Sequence, residues 1–182
     1  ADGRVSAAGR IDGGTLIQAK GHQYEVSALL QDEGLAARFA GGSFATVYLA
    51  PSDYHRVHWP CSGALRGHWP IDGRLFAVNG ATAAVIPQLF ARNARHVFHV
   101  DGQHSDIAMV MVGALNVASI TIPWREQGLE RCERGDIAAW FNMGSTVILL
   151  LPEGWTLAAD IAAGATVRVG QRLAHWQEAA DA

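Results

Sequence analysis

Lysine is almost absent from this chain of 182 residues, in which Lys20 is the only lysine beside 13 arginines. A guanidinium group stays protonated, so arginine cannot form a Schiff base with a carbonyl compound. If the protein carries out amine–carbonyl chemistry through a lysine, Lys20 is the only candidate. A cofactor that supplies its own carbonyl would remove this limit.

The chain also has no excess of positive charge and few cysteines. The net charge is -3 and the isoelectric point is about 6.2, which argues against nucleic acid as the main partner. Cys61 and Cys132 are the only cysteines, and they form no CxxC pair. The two cysteines therefore indicate neither a zinc site nor a disulfide scaffold, but two ordinary thiols in a reducing compartment.

Long hydrophobic runs are also missing. One of the longest, Val147 to Leu151, is far shorter than the ~20 residues that a transmembrane helix needs, so we expect no such helix here. Apolar residues nevertheless make up 49% of the chain and charged residues 17%, as in a folded globular protein.

Short apolar and β-branched runs are separated by glycine, aspartate and proline along the whole chain. This pattern predicts a mainly β fold with a few short helices, arranged as an antiparallel or mixed β-sandwich or barrel-like single domain over residues 1–182. The predicted strands include Leu75–Val78, Leu115–Pro123 and Thr146–Leu151, and Ser27 is a predicted helix cap.

A cluster of titratable side chains lies between Asp53 and Pro60. His55 and His58 are three residues apart, with Arg56 between them. Histidine is suited to proton transfer near neutral pH, and arginine holds a carboxylate or phosphate in fixed geometry. A catalytic pair, a zinc pair and two surface histidines all remain open from this spacing.

A second candidate is Ser145, which follows Gly144 at the start of an apolar run. Serine needs a base to become a nucleophile, and the base needs a group that fixes its tautomer. Asp2, His58 and Ser145 have the composition of such a set. Gly-Ser-Thr and Asp-Gly are also common turns, so geometry must decide whether the three meet.

These segments resemble those of a known family. The run Tyr48–Pro60 is similar to the histidine motif of phosphatidylserine decarboxylases, and Met143–Ile148 is similar to their processing motif, usually LGST. Further similar segments, in family order, are Lys20–His22 with Tyr24, Leu75–Asn79, Leu89–Asn93, Val112–Ala114 and Val167–Gln171. The chain departs from the family at Met143, Ala94, Ile137 and Ala139. We expect none of these departures to touch the proposed triad.

The resemblance implies a pyruvoyl-dependent proenzyme that cuts itself between Gly144 and Ser145. The products would be a β subunit, 1–144, and an α subunit, 145–182, with a covalent pyruvoyl group derived from Ser145. Asp2, His58 and Ser145 would be the cleavage triad.

The resemblance also implies the reaction and its partners. Phosphatidylserine would form a Schiff base with the pyruvoyl group, lose CO₂ and leave as phosphatidylethanolamine, with His55 contacting the substrate. The implied partners are the lipid, a membrane surface, the protein's own cleaved subunit and a second copy in a homodimer. The implied location is peripheral, on the cytoplasmic face of the cell membrane if the source is bacterial.

Three alternatives stay open at this point. The first is a pyruvoyl-dependent decarboxylase of a free aromatic amino acid. The second is a family member that is not processed and acts as a binding module. The third is an ordinary serine hydrolase, which would keep an intact chain and a reactive Ser145.

Overall fold

The computed structural model describes residues 1–19, 22–114 and 120–177. The strands are β1 (Gly3–Arg10), β2 (Thr15–Ala19), β3 (His22–Glu25), β4 (Ser43–Leu49), β5 (Arg56–His58), β6 (Gly63–Ile71), β7 (Arg95–Gly102), β8 (Asp106–Val112), β9 (Ile120–Thr121), β10 (Arg131–Cys132), β11 (Ile137–Phe141), β12 (Ser145–Leu151), β13 (Trp155–Leu157), β14 (Thr166–Val167) and β15 (Ala174–Trp176). The helices are α1 (Val26–Leu30), α2 (Glu33–Ala37), α3 (Gly80–Ala83) and α4 (Leu89–Arg92).

An eight-stranded sheet forms the centre of the fold, in the order β10-β6-β7-β8-β12-β4-β1-β14. Its neighbouring strands are antiparallel, and the sheet is open, with β10 and β14 at its edges. This confirms the predicted mainly β, antiparallel fold with a few short helices. The strand β12 lies in the middle, between β8 and β4.

The two faces of this sheet carry separate cores. On one face, Ile148 and Leu150 of β12 pack in a cluster with the helices and the β2–β3 hairpin. On the other face, Leu149 and Leu151 pack in a cluster with β5, β11 and Trp124. Side chains alternate along a strand, so β12 contributes to both cores, as the near-continuous apolar run predicts. The result is a layered arrangement of helices, central sheet and a small β5-β11-β9 sheet.

Two of the strand predictions need correction. The segment Leu75–Val78 is not a strand. It is held by the buried amide of Asn93, which donates to the Phe76 carbonyl at 2.8 Å and accepts from the Phe76 N–H at 3.2 Å. Of the predicted strand Leu115–Pro123, residues 115–119 lie outside the described residues, and only Ile120–Thr121 is a strand in the rest.

The helix prediction at Ser27 is wrong in its cap. Helix α1 follows Glu25 with no side-chain cap and ends at Gln31, which has a positive φ of 51°. At the other end of α1, the buried guanidinium of Arg95 donates to the free carbonyls of Ala28 and Leu29 at 2.7 Å each.

None of the helices in the described part of the chain is long and apolar enough to cross a membrane.

Candidate active site

Ser145 is the first residue of the central strand β12, where it pairs in register with Leu49 of β4. Its exposed fraction is 0%, and its Oγ has no hydrogen-bond partner. A buried hydroxyl without a partner destabilises a fold by about 1–3 kcal/mol. Native proteins tolerate few such groups, and each one calls for a functional or structural explanation.

Gly144 packs closely against the segment that follows β4. A Cβ atom added at Gly144 would lie 2.7 Å from the carbonyl oxygen of Leu49 and 3.1 Å from the nitrogen of Pro51. Real Cβ contacts are essentially never shorter than 3.0 Å. The peptide bond before Ser145 is therefore held against backbone atoms at a point where only glycine fits without movement.

His58 lies on β5, and both of its ring nitrogens have partners. Its Nδ1 lies 2.5 Å from the carbonyl oxygen of Gly135, and its Nε2 lies 2.9 Å from the hydroxyl of Tyr54. Because a carbonyl oxygen only accepts, Nδ1 carries the proton. In the neutral ring, Nε2 then accepts from the Tyr54 hydroxyl, so its lone pair points at a group that is free to rotate.

The tyrosine and the glycine in these contacts were not predicted from the sequence. Tyr54 stacks on His58 with ring centroids 5.6 Å apart and an interplanar angle of 25°. Its position four residues before His58 is the only sequence signal that could have indicated it. Gly135 is distant in sequence, and nothing in the pattern links it to His58.

Asp2 is hydrogen-bonded to the histidine segment, but its hydrogen bonds do not go to His58. Its backbone N–H donates to the Tyr54 carbonyl at 3.1 Å, and its Oδ1 accepts from the Val169 N–H at 2.8 Å. No hydrogen bond between Asp2, His58 and Ser145 occurs among the contacts of the described residues. The structure places Asp2 near Tyr54 and leaves the triad a prediction.

His55 provides a second buried group without a partner. Its Nε2 is buried and makes no hydrogen bond, while its backbone carbonyl accepts from the Phe141 N–H at 3.3 Å. Phe141 ends β11, four residues before Ser145. His55 is thus hydrogen-bonded to the end of β11, the strand that the short connection 142–144 joins to Ser145.

One expectation about the family departures is wrong. Ile137 is the Cα partner of His58 in the β5–β11 ladder, and the ladder has an irregularity between Ile137 and Ala139. Two departures therefore lie against the strand that carries His58. Lys20, the only lysine, lies outside the described residues.

The described part of the chain shows no grouped metal ligands and no disulfide. Within residues 1–19, 22–114 and 120–177, no three His, Cys, Asp or Glu side chains are grouped so as to hold a metal ion. Cys61 and Cys132 are free thiols, and Cys132 Sγ donates to the Cys61 carbonyl at 3.5 Å. Burial raises the pKa of the Cys61 thiol to about 12, so this thiol stays protonated.

Comparisons with known proteins identify the family of the chain. The family model described as phosphatidylserine decarboxylase matches residues 1–175. The phosphatidylserine decarboxylase proenzyme of Xanthomonas axonopodis pv. citri (strain 306) is 44% identical over 196 aligned positions, covering 97% of this chain and 69% of the relative. The protein of the same name from Pseudomonas putida is 44% identical over 194 positions, covering 96% and 68%.

The matches place the chain among self-processing carboxy-lyases. It belongs to the phosphatidylserine decarboxylase family. Members of this family are in general pyruvoyl-dependent.

Proposed function

We propose that this chain is a proenzyme that cuts its own backbone between Gly144 and Ser145 and then decarboxylates phosphatidylserine. The observation that carries the proposal is the hydroxyl of Ser145, which is buried without a partner directly after the closely packed Gly144. A hydroxyl that made a stable hydrogen bond would have to break it before attacking. This one is free to turn toward the preceding carbonyl.

The first step needs a base for the Ser145 proton. The proposed base is Nε2 of His58, which holds a lone pair because Nδ1 carries the ring proton. The Tyr54 hydroxyl occupies that lone pair and must rotate away first. Asp2 is proposed to leave the Val169 N–H and approach the ring, where its carboxylate would stabilise the protonated imidazole.

The bonds in this cleavage balance without a co-reactant other than water. Oγ of Ser145 bonds to the Gly144 carbonyl carbon, the peptide C–N bond breaks, and the freed nitrogen takes the proton. The resulting ester loses the Ser145 α-proton and the Gly144 carboxylate. Residue 145 is then a dehydroalanine at the start of the new chain. Its hydrolysis releases ammonia and leaves a ketone at that chain end. The fragments are 1–144 and 145–182.

The two fragments are proposed to stay together after cleavage. Strand β12 pairs with β4 over seven residues, from Ser145 to Leu151, and with β8 over five. Both ladders join the 145–182 fragment to strands of the 1–144 fragment, and neither contains the bond that is cut. The cleaved α subunit would thus remain the centre of the sheet.

A pyruvoyl group formed in this way supplies a carbonyl that accepts the electrons left when CO₂ departs. The protein's own task is to hold the substrate and return a proton to its α-carbon. His55 is proposed for this role, because its Nε2 is buried and makes no hydrogen bond. The buried serine position fits a small covalent group, since Ser145 already occupies it with an exposed fraction of 0%.

We also propose that the face beside the site lies against a membrane. Tyr54, Met143 and Val169 are exposed large apolar side chains, at 39%, 46% and 46%. Tyr54 and Val169 are both tied to Asp2 by hydrogen bonds, and Met143 precedes Gly144. Exposed apolar side chains around a lipid-processing site are suited to a bilayer surface. A homodimer remains a prediction, which gel filtration would test.

Cleavage is tested by replacing Ser145 with alanine. On denaturing gels we expect the wild-type chain as two fragments and Ser145→Ala as one. Ser43→Ala is the matched control, because Ser43 is also a buried strand serine and pairs with Leu151 at the other end of the same ladder. Two fragments cut at the 144/145 bond in Ser145→Ala would contradict the proposal.

The substrate is tested separately by CO₂ release. We expect release from phosphatidylserine vesicles and none from free aromatic amino acids. The reverse result would contradict the lipid assignment while leaving the cleavage untouched.

A further inference from the structure

A large cavity opens on the sheet face that carries Ser145. Its volume is about 1230 Å³, and its lining includes Val47 and Leu49 of β4 and Val147 and Leu149 of β12. Side chains two residues apart on a strand share a face, so Ser145, Val147 and Leu149 point the same way. The apolar floor of the cavity therefore runs along the strand as far as Val147 and Leu49, next to the buried Ser145, which is not itself part of the lining.

The wall of this cavity includes His58 and two loops that carry arginines. One loop carries Arg134, next to the Gly135 carbonyl that binds His58 Nδ1. The other carries Arg168, next to Val169, whose N–H binds Asp2. Each loop thus binds one residue of the proposed triad and contributes one exposed arginine to the lining of the cavity.

Neither arginine forms an ion pair elsewhere in the described part of the chain. The ion pairs of residues 1–19, 22–114 and 120–177 involve Arg38, Arg66 and His99, but not Arg134 or Arg168. Both arginines are exposed, and Arg134 also lies close enough to the half-buried Cys61 thiol to counteract the rise in its pKa.

The cavity combines two kinds of surface that one ligand would need to match. Its volume exceeds the ~300–1,000 Å³ of pockets for small molecules. The apolar floor suits hydrocarbon chains, whereas guanidinium groups bind phosphate with paired hydrogen bonds. A free amino acid could bind a guanidinium through its carboxylate but would leave the apolar floor unused.

The following inference rests on the proposed function. We propose that this cavity binds the glycerol end and the first part of the acyl chains of phosphatidylserine, and that Arg134 and Arg168 bind its phosphate. The acyl chains then lie on the apolar floor, and the serine headgroup extends past His58 toward position 145. The lipid is drawn partly out of the bilayer, so the protein selects a diacyl phosphate ester over the headgroup alone.

Equilibrium binding to the full-length Ser145→Ala chain tests this without any cleavage or cofactor. The ligands are dihexanoyl-phosphatidylserine, which has chains and phosphate, glycerophosphoserine, which lacks the chains, and serine, which lacks both. We expect affinity to fall in that order. Because this variant is not processed, the result does not depend on whether the proposed cleavage occurs.

The two parts of the cavity are tested by added substitutions in the same background. Arg134→Gln and Arg168→Gln should each raise the Kd for dihexanoyl-phosphatidylserine about ten- to a hundredfold, as expected for a lost charged hydrogen bond. Arg74→Gln is the control, because Arg74 is an exposed arginine outside the cavity lining. Its Kd should not change.

The proposed acyl-chain site is tested by Val147→Phe, which places a larger side chain on the apolar floor of the cavity. This variant should raise the Kd for dihexanoyl-phosphatidylserine and leave the Kd for glycerophosphoserine unchanged. Thermal melting verifies that each variant is folded. Equal affinity of the three ligands, or an effect of Arg74→Gln as large as that of the cavity arginines, would overturn the proposal.

Discussion

Replacing Gly144 with alanine would place a methyl group where the backbone after β4 already lies. The added Cβ would be 2.7 Å from the Leu49 carbonyl oxygen, whereas ordinary contact begins at 3.4 Å, so the chain must move by about 0.7 Å (3.4 minus 2.7). The obstructing atoms are backbone and the Pro51 ring, which cannot rotate away. Such overpacking destabilises a protein by about 1–3 kcal/mol.

The same displacement moves the carbonyl that Ser145 is proposed to attack. A misplacement of ~1 Å lowers the rate of an oriented reaction by ~10²-fold. We therefore expect Gly144→Ala to slow the appearance of the 145–182 fragment about ten- to a hundredfold, measured by gel densitometry after synthesis. Pro51 is not altered in this variant, so any change in the cleavage rate is caused by the substitution at Gly144.

Gly80→Ala is the matched control for this experiment. Gly80 is in the first turn of α3, has no atoms within 4 Å of an added Cβ, and does not require a positive φ. It should cleave at the wild-type rate and lose no stability. Wild-type cleavage by Gly144→Ala would refute the claim that the packed glycine positions the scissile bond.

Three further perturbations test other contacts. Arg95→Met removes a buried guanidinium that donates to the last carbonyls of α1, so chemical denaturation should show a loss of about 3 kcal/mol; a loss below ~1 kcal/mol would contradict that capping role. Burial lowers the pKa of His96 to about 4, with His68 as a further cause, so the folded state holds this ring neutral. The free energy of unfolding should therefore be highest above pH ~6.5 and fall by about 1–2 kcal/mol toward pH ~4, a loss kept small because solvent partly reaches the ring. His96→Asn should remove this pH dependence in thermal melts. An unchanged pH dependence in that variant would contradict the prediction. Tyr54→Phe frees the Nε2 lone pair of His58 and should speed cleavage by up to about tenfold; slower cleavage would mean that the hydroxyl assists.

Strand patterns were predictable where burial is regular. The run 147–151 is apolar on both sides, and it lies in the middle of the sheet with a core on each face. Leu75–Val78 has the same apolar character but no partner strand, because the Asn93 amide satisfies Phe76 instead. A side chain 17 residues away decided that segment, and no local pattern reports it.

The candidate site was predictable in its residue types but not in its contacts. Sequence motifs indicated Asp2, His58 and Ser145, whereas the bonds of the His58 ring go to Tyr54 and Gly135. A backbone carbonyl can be supplied by any residue type, so the sequence carries no signal for Gly135 as a partner. The arrangement of a proenzyme before cleavage also need not be the arrangement that reacts, since His58 must exchange partners first.

The central claim is that Ser145 becomes a ketone at a new chain end. Its most direct test is intact mass spectrometry of the purified full chain, with and without an amine plus cyanoborohydride. We predict two polypeptides divided after Gly144, with the reductive adduct on residues 145–182 only and no adduct in Ser145→Ala. A single unbroken, unlabelled chain in a sample that releases CO₂ from phosphatidylserine would contradict the account.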